Sequence, residues 1–253
     1  LTNDHTGSAI RVRRASDHEE QDIGFVNNEL DTATLTTFCS GTNGFVATWF
    51  DQAGSNDATQ TAPGNQPKIY DSVTGVLEEN GKPCCLFGSN INVMLETSAI
   101  SHTDGAVSIF TVVNKSGNTY SQVFVVDCAD NAIFGSSHGY RLDTFGDRYR
   151  FGTNQNVTSG STFTPPTGQK LFTGIANSSG RTIYLNGASD ATTSGDQTTT
   201  YSSTEEIVLG NRNVGGAGSF DGKVQEIVIY ESDQDSNRTG IETNINDFYS
   251  IYP

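Results

Sequence analysis

A polar and aromatic group near the middle of the chain has the residue types that bind ligands. It comes from two neighbouring segments, 140–143 and 148–152, in which polar and apolar residues alternate. Such alternation predicts two strands of a sheet with one solvated face. Arg141, Asp143 and Tyr149 are therefore the best local candidates for a binding surface. The alternative is structural: the arginines pair across the strands with nearby aspartates, Asp143 among them.

The usual nucleophile and base patterns of hydrolases are missing from the sequence. The four histidines, at positions 5, 18, 102 and 138, are isolated in polar segments. No Gly-x-Ser-x-Gly elbow and no Cys-His pairing occurs. A Glu-x-Asp-x-x-Glu run, which would place two glutamates on one face of one strand, is also absent. These observations argue against a catalytic role.

The cysteines and acidic loops give little support for a metal site. The cysteines lie at positions 39, 84, 85 and 128, a spacing that matches no zinc pattern, and we expect free, mostly buried thiols. The turn between Asp51 and Asp57 could wrap a cation, but no dense Asp-x-Asp-x-Asp loop is present, which favours a solvated loop. We predict no cofactor, and this turn leaves room for a structural calcium ion.

The length and amino-acid composition of the chain indicate a mainly β protein. Its 253 residues include 27 glycines and a single Met, and all-β sandwiches of this length commonly form one domain. A formal net charge of -15 repels phosphate backbones, so we predict no nucleic-acid partner. No apolar run reaches membrane-spanning length, so we predict no membrane insertion. The polar segment 1–5 lacks a signal-peptide core, and we expect a chain that is mature or cut from a longer one.

Periodicity predicts strands throughout and two short helices. The clearest core strand is 107–113, which we expect to form a hairpin with 122–127. Asp31 can cap a first helix that ends near Cys39, and a second helix is predicted near 237–249. The segment 159–166 is predicted to be a loop, and 186–204 is a long polar tract of Ser, Thr, Gly and Asp.

The last third of the chain resembles the laminin-G-like branch of the concanavalin A-like jelly rolls. A tyrosine-bearing strand ends in Asn186-Gly187, a short apolar strand ends in Gly210, and Phe220-Asp-Gly precedes Val224-Gln-Glu-Ile-Val-Ile-Tyr230. The resemblance implies an all-β, two-sheet jelly-roll sandwich with short helices. Members of that superfamily mostly bind sugars or proteins, and some branches cleave glycans.

The opening of the chain carries a more specific resemblance. Ile10-Arg-Val-Arg-Arg-Ala-Ser-Asp17, the helix-like segment 31–39 and Phe45-Val-Ala-Thr-Trp-Phe-Asp-Gln52 are similar to the start of the family-54 α-L-arabinofuranosidase catalytic domain. The same block resembles laminin-G-like domains of bacteriophage virion proteins, especially marine ones. There it continues, as here, into 55–60, 65–69 and Asn80-Gly-Lys-Pro83.

The catalytic positions of the arabinofuranosidase family do not carry over. Its nucleophile is a Glu two residues after a Gly-His pair, and the nearest match places Arg141 there. Its acid/base Asp follows a Leu-Gly pair, and the corresponding segment 209–215 has no carboxylate. An arginine cannot attack an anomeric carbon. The resemblance therefore implies that both catalytic carboxylates are missing and that the chain is not an enzyme.

Together these observations predict one laminin-G-like jelly-roll domain over residues 1–253. We predict a non-catalytic bacteriophage domain of the tail-fibre or capsid-decoration type, located on the virion surface or otherwise extracellular. Its predicted partners are other virion proteins and host-surface glycans, with copies in a symmetric homo-oligomer or lattice. The alternative is a secreted arabinofuranosidase-like glycoside hydrolase. The candidate carbohydrate-binding residues are Arg141, Asp143, Tyr149, Asn211, Arg212 and Asn213.

Overall fold

The computed structural model describes residues 7–88, 93–117, 122–128, 140–145, 147–153, 156–200, 204–211 and 219–253, with the backbone alone for 122–128 and 156–157. Within these ranges the chain forms 23 strands, two α-helices and a short 3-10 helix at Pro63–Asn65.

The first strands and the first helix are β1 (Ile10–Arg14), β2 (Glu20–Ile23), β3 (Phe25–Val26), β4 (Glu29–Leu30), α1 (Thr32–Phe38), β5 (Gly44–Trp49), β6 (Ala58–Thr59), β7 (Lys68–Asp71), β8 (Gly75–Val76), β9 (Glu78–Glu79), β10 (Lys82–Pro83), β11 (Cys85–Phe87), β12 (Leu95–Glu96) and β13 (Ile100–Ser101). The remaining elements are β14 (Val107–Lys115), β15 (Gln122–Cys128), β16 (Tyr140–Phe145), β17 (Arg148–Thr153), β18 (Asn156–Thr162), β19 (Gln169–Ala176), β20 (Gly180–Leu185), β21 (Ala188–Ser194), β22 (Thr204–Leu209), β23 (Gly222–Tyr230) and α2 (Arg238–Tyr249).

Most strands pair in two layers that meet at β5. Layer one has the order β21, β20, β19, β14, β23, β11, β7, β5, β1 and β2. Layer two has the order β18, β17, β16, β15, β22, β12 and β6, and β6 pairs with β5. All of these pairings are antiparallel. The predicted all-β sandwich with short helices is therefore confirmed.

The main hydrophobic core lies between the layers. Layer one contributes Ile109 and Phe172, and layer two contributes Leu142, Phe151 and Leu209, each less than a tenth exposed. Alternation along a strand sends the next residue to the opposite face. The inner face of each layer is thereby filled, and the outer face of layer two remains for polar side chains.

Both predicted helices are present. Asp31 caps α1, because its carboxylate accepts a hydrogen bond from the backbone N–H of Thr34 at 3.0 Å. Helix α2 covers the outer face of layer one and packs Ile245 and Tyr249 against Phe110 and a neighbouring leucine. Neither helix of the described ranges is long and apolar enough to cross a membrane.

A side chain from the β9–β10 turn fixes the end of α2. The Nδ2 atom of Asn80 donates hydrogen bonds to the backbone carbonyls of Tyr249, at 2.7 Å, and Ser250, at 2.9 Å. Ser250 has a left-handed backbone with φ of 53°. Because the last carbonyls of a helix have no partner within it, this side chain completes their hydrogen bonding.

Two local predictions are wrong. β14 does not form a hairpin with β15, because β14 pairs with β19 and β23 in layer one and β15 lies in layer two. The segment 159–166 is not all loop, because it begins inside β18. The polar composition of 159–166 led to the loop prediction, but edge strands with an exposed face are also rich in Ser and Thr.

Candidate active site

Two glutamates project from neighbouring strands of layer two. Leu95 lies opposite Leu209 in the β12–β22 pairing, and both are buried in the core. Glu96, opposite Val208, therefore points to the outer face. Glu206 lies two residues before Val208 on the same strand and shares that face. Both glutamates are exposed.

The negative charge of Glu206 acts on the carboxyl group of Glu96. The pKa of Glu96 is raised above its ordinary value, first by desolvation and then by the negative charge of Glu206. A raised pKa keeps a carboxylic acid protonated to a higher pH, which is what a general acid needs. The carboxylate of Glu206 can act as nucleophile or base. Two carboxylates with separate roles are the arrangement that glycoside hydrolysis requires.

Charged side chains continue on the outer face toward β16 and β17. Asp143 accepts hydrogen bonds from Arg150 at 2.8 Å (Nε) and 2.6 Å (Nη2), and the Nε atom of Arg141 lies 3.4 Å from its Oδ2 atom. All three side chains are buried. The cross-strand ion pairing weighed as the alternative is therefore present, and Asp143 is bound to arginines.

The remaining candidate binding residues are placed differently. The Tyr149 ring faces the core, with ring centroids 4.6 Å from Phe163 and 4.9 Å from Phe172, and burial raises its pKa to about 12. It is enclosed by the core instead of offering a face to a sugar. Asn211 is also fully buried. Arg212 and Asn213 lie outside the described residues, and their carbohydrate-binding role stays a prediction.

The loop after β5 is held by its own carboxylates. Asp51 accepts backbone hydrogen bonds from Ala53 at 2.8 Å and Asn56 at 3.1 Å, while Asp57 accepts one from the N–H of Asp51 at 2.9 Å. In the part of the chain that the structure describes, no group of three or more His, Cys, Asp or Glu residues could hold a metal ion. A structural calcium ion stays a prediction.

Charged residues elsewhere have structural partners. Arg13 is the buried arginine of β1, and its guanidinium donates to the side chain of Gln66 at 2.7 Å and contacts His18. Glu226 lies on the layer-one face that α2 covers, where its carboxyl interacts with Tyr249. Neither residue adds to the outer face of layer two.

Comparison with known families identifies the fold. Residues 87–234, more than half of the chain, match the family model of the concanavalin A-like lectin/glucanases superfamily. The chain belongs to this superfamily. Residues 1–122 match a second family model, that of the catalytic domain of α-L-arabinofuranosidase B. The comparison with the sequences of curated proteins gives no match.

Solved structures share the fold of this chain. A GH54 α-L-arabinofuranosidase soaked with a cyclic sulfate inhibitor superposes with a TM-score of 0.71 at 14% identity, covering 97% of this chain and 60% of that chain. An arabinofuranosidase complexed with arabinofuranosyl-α-1,2-xylobiose gives 0.68 at 16%, with the same coverage. A Trypanosoma rangeli sialidase in complex with the inhibitor DANA gives 0.51 at 12%, covering 76% of this chain and 30% of that one. The chain thus spans three fifths of the length of these arabinofuranosidases.

These comparisons correct the prediction that the chain is not an enzyme. The match over residues 1–122 is to a catalytic domain, and with the shared fold it points to a glycoside hydrolase. That prediction rested on hydrolase motifs missing from the sequence and on the two positions that match the family's catalytic carboxylates, Arg141 and the segment 209–215. Glu96 and Glu206, on β12 and β22, belong to neither segment.

Proposed function

We propose that this concanavalin A-like domain is a glycoside hydrolase that removes arabinofuranosyl groups from glycans. The observation that carries the proposal is the pair of exposed carboxylates, Glu96 and Glu206, on neighbouring strands of one face, where the pKa of Glu96 is raised partly by Glu206. The similarity to arabinofuranosidases supports the choice of sugar. We assign Glu96 as the general acid.

The proposed reaction uses each carboxyl group once. Protonated Glu96 gives its proton to the glycosidic oxygen as the bond from that oxygen to the anomeric carbon breaks, and the alcohol leaves. The carboxylate of Glu206 acts on the anomeric carbon directly or through a water molecule. Water finally supplies a hydroxyl to the anomeric carbon, and its remaining proton restores the acid. The anomer formed first, read by proton NMR, reports which route is used.

Two substrates of different leaving-group acidity separate the two roles. Removing the acid in E96Q should abolish turnover of an alkyl arabinofuranoside while sparing much of the turnover of a dinitrophenyl arabinofuranoside, whose leaving group needs no proton. E206Q should lose both, by about 100-fold or more. Glu78 is exposed on β9 and E78Q is the matched control. Wild-type protein without turnover, or full activity in both variants, would refute the proposal.

The location, partners and assembly of the protein are a separate proposal. An extracellular or virion-surface location, contact with other virion proteins, host-surface glycans as ligands and symmetric copies all remain predictions from the sequence. Light scattering of the purified chain and electron microscopy of native material would test them. A monomer without attachment to any particle would remove the virion setting and leave a secreted hydrolase.

A further inference from the structure

A continuous row of polar residues leads away from the carboxylate pair across the sheet. In the strand registers, Glu96 lies opposite Thr59, Thr59 opposite Thr48, and Thr48 opposite Arg11. Directly opposite residues of antiparallel strands point to the same face. The residues beside them, Leu95, Ala58, Trp49 and Ile10, belong to or pack against the core. The row therefore lies on the side of the strands turned away from the core, and it runs in line with Glu96 from layer two into layer one, where β6 pairs with β5.

The far end of the row carries an aromatic ring and an ion pair. The Arg11 guanidinium lies over the Phe50 ring, 5.8 Å from its centroid. Arg11 also pairs with Asp22, which lies opposite it on β2, at 2.6 and 3.0 Å. About two fifths of each charged side chain is exposed, and Phe50 is half-buried. The end of the row thus combines an apolar face with hydrogen-bonding groups that solvent can reach.

We infer that the polar row, defined as Thr59, Thr48 and Arg11 with the ring of Phe50, binds the polysaccharide backbone that carries the scissile arabinofuranosyl group. This inference rests on the proposed function. Neighbouring strands lie about 4.8 Å apart, which is close to the length of one pyranose in an extended β-linked chain. One polar side chain per strand thereby meets one sugar unit, and Phe50 offers a face for the last of them.

The charge and the hydrogen-bonding groups of the row favour a neutral, β-linked polysaccharide backbone such as xylan. The hydroxyl of Thr48 can donate and accept hydrogen bonds, and that of Thr59, which donates to the backbone carbonyl of Glu96 at 3.5 Å, can accept them, which suits sugar hydroxyls. Arg11 is already bound to Asp22, so this end of the row is nearly neutral and does not favour an anionic chain. A substrate bound here leaves its side-chain sugar at Glu96.

The test compares a polymer with a small substrate. We expect the double variant T48V/T59V and the single variant F50A each to lower the ratio of kcat/KM on arabinose-substituted xylan to kcat/KM on an aryl arabinofuranoside by about tenfold, the scale of one stacking contact. The matched control is T182V/T192V, which removes an exposed threonine pair with hydroxyls 3.2 Å apart on β20 and β21. Thermal midpoints confirm that every variant is folded. An unchanged ratio in the row variants would overturn the inference.

A binding assay separates failure of the row from failure of the proposed function. Arabinose-free xylan in a native gel should retard the wild-type protein and T182V/T192V, and should retard T48V/T59V and F50A less. If the wild type is retarded but turns over neither substrate, the proposed hydrolysis fails and the row stands as a binding site. If the wild type is not retarded, or all variants are retarded equally, the row does not bind xylan.

Discussion

Arg150 and Asp143 lie directly opposite each other on β17 and β16, and two hydrogen bonds join the guanidinium to the carboxylate. Because both side chains are buried, D143N should leave Arg150 charged and desolvated. We expect a loss of about 3 to 5 kcal/mol in the free energy of unfolding, measured by denaturant titration. D22N, which breaks an exposed pair with Arg11, should cost less than about 1 kcal/mol. Equal losses would show that burial does not govern this pair.

The pH dependence of hydrolysis should report the coupling between Glu96 and Glu206. As general acid, Glu96 must be protonated, so activity should fall as pH rises through its raised pKa. E206Q removes the neighbouring negative charge and should lower that pKa. Carbon-detected NMR titration of the Glu96 carboxyl in the wild type, E206Q and E78Q measures it without relying on turnover. The same pKa in all three proteins would contradict the coupling.

Glu226 should make the protein less stable at higher pH. Its pKa is raised, mainly by burial under α2, so the folded state binds the proton more tightly than the unfolded state does. The resulting stability is full below the unfolded pKa and is lost as pH rises through the folded pKa. E226Q cannot ionise and should show a smaller fall in thermal midpoint between pH 4 and pH 8. E78Q, which changes an exposed glutamate, is the control. An equal fall in thermal midpoint in the wild type and in E226Q would exclude Glu226 as the cause of the loss of stability at high pH.

The described thiols should be inert in the folded protein. Cys39, Cys84 and Cys85 are free and buried, and burial raises the pKa of Cys39 to about 11 and that of Cys84 to about 12. Because the thiolate is the reactive form, iodoacetamide at pH 8 should modify these three only after denaturation. Peptide mass mapping locates the label. Labelling of native Cys84, or a disulfide between Cys84 and Cys85, would contradict this arrangement.

Much of the fold could be read from local patterns. Asp31 caps α1 as expected, and the strand that ends in Asn186-Gly187 turns there with positive φ at both residues, 51° and 78°, as this pair favours. Local signals could not show which strands pair. The mistaken β14–β15 hairpin illustrates this, since both strands are apolar and adjacent in sequence but belong to different layers. Layer assignment depends on non-local contacts that no short window contains.

The site was harder to predict than the fold for the same reason. The cross-strand pairing around Asp143 was foreseen because Arg141 and Arg150 are close to it in sequence. Glu96 and Glu206 are joined only by the register between β12 and β22, and a shift of one residue would send Glu96 into the core. The signal that could have found them is a glutamate next to an apolar strand residue in each segment, which becomes informative only once the strands are paired.

The helix that Asn80 anchors determines how the protein can be mounted on a surface. Since α2 lies on the outer face of layer one, the chain reaches Tyr252 on that side, where the tyrosine hydroxyl approaches Gly187 at the β20–β21 turn. A biotin or affinity tag fused after Pro253 therefore emerges on the side away from Glu96 and Glu206. Sensor chips coated through such a tag would hold every copy in one orientation, with the carboxylate pair turned toward the flowing solution.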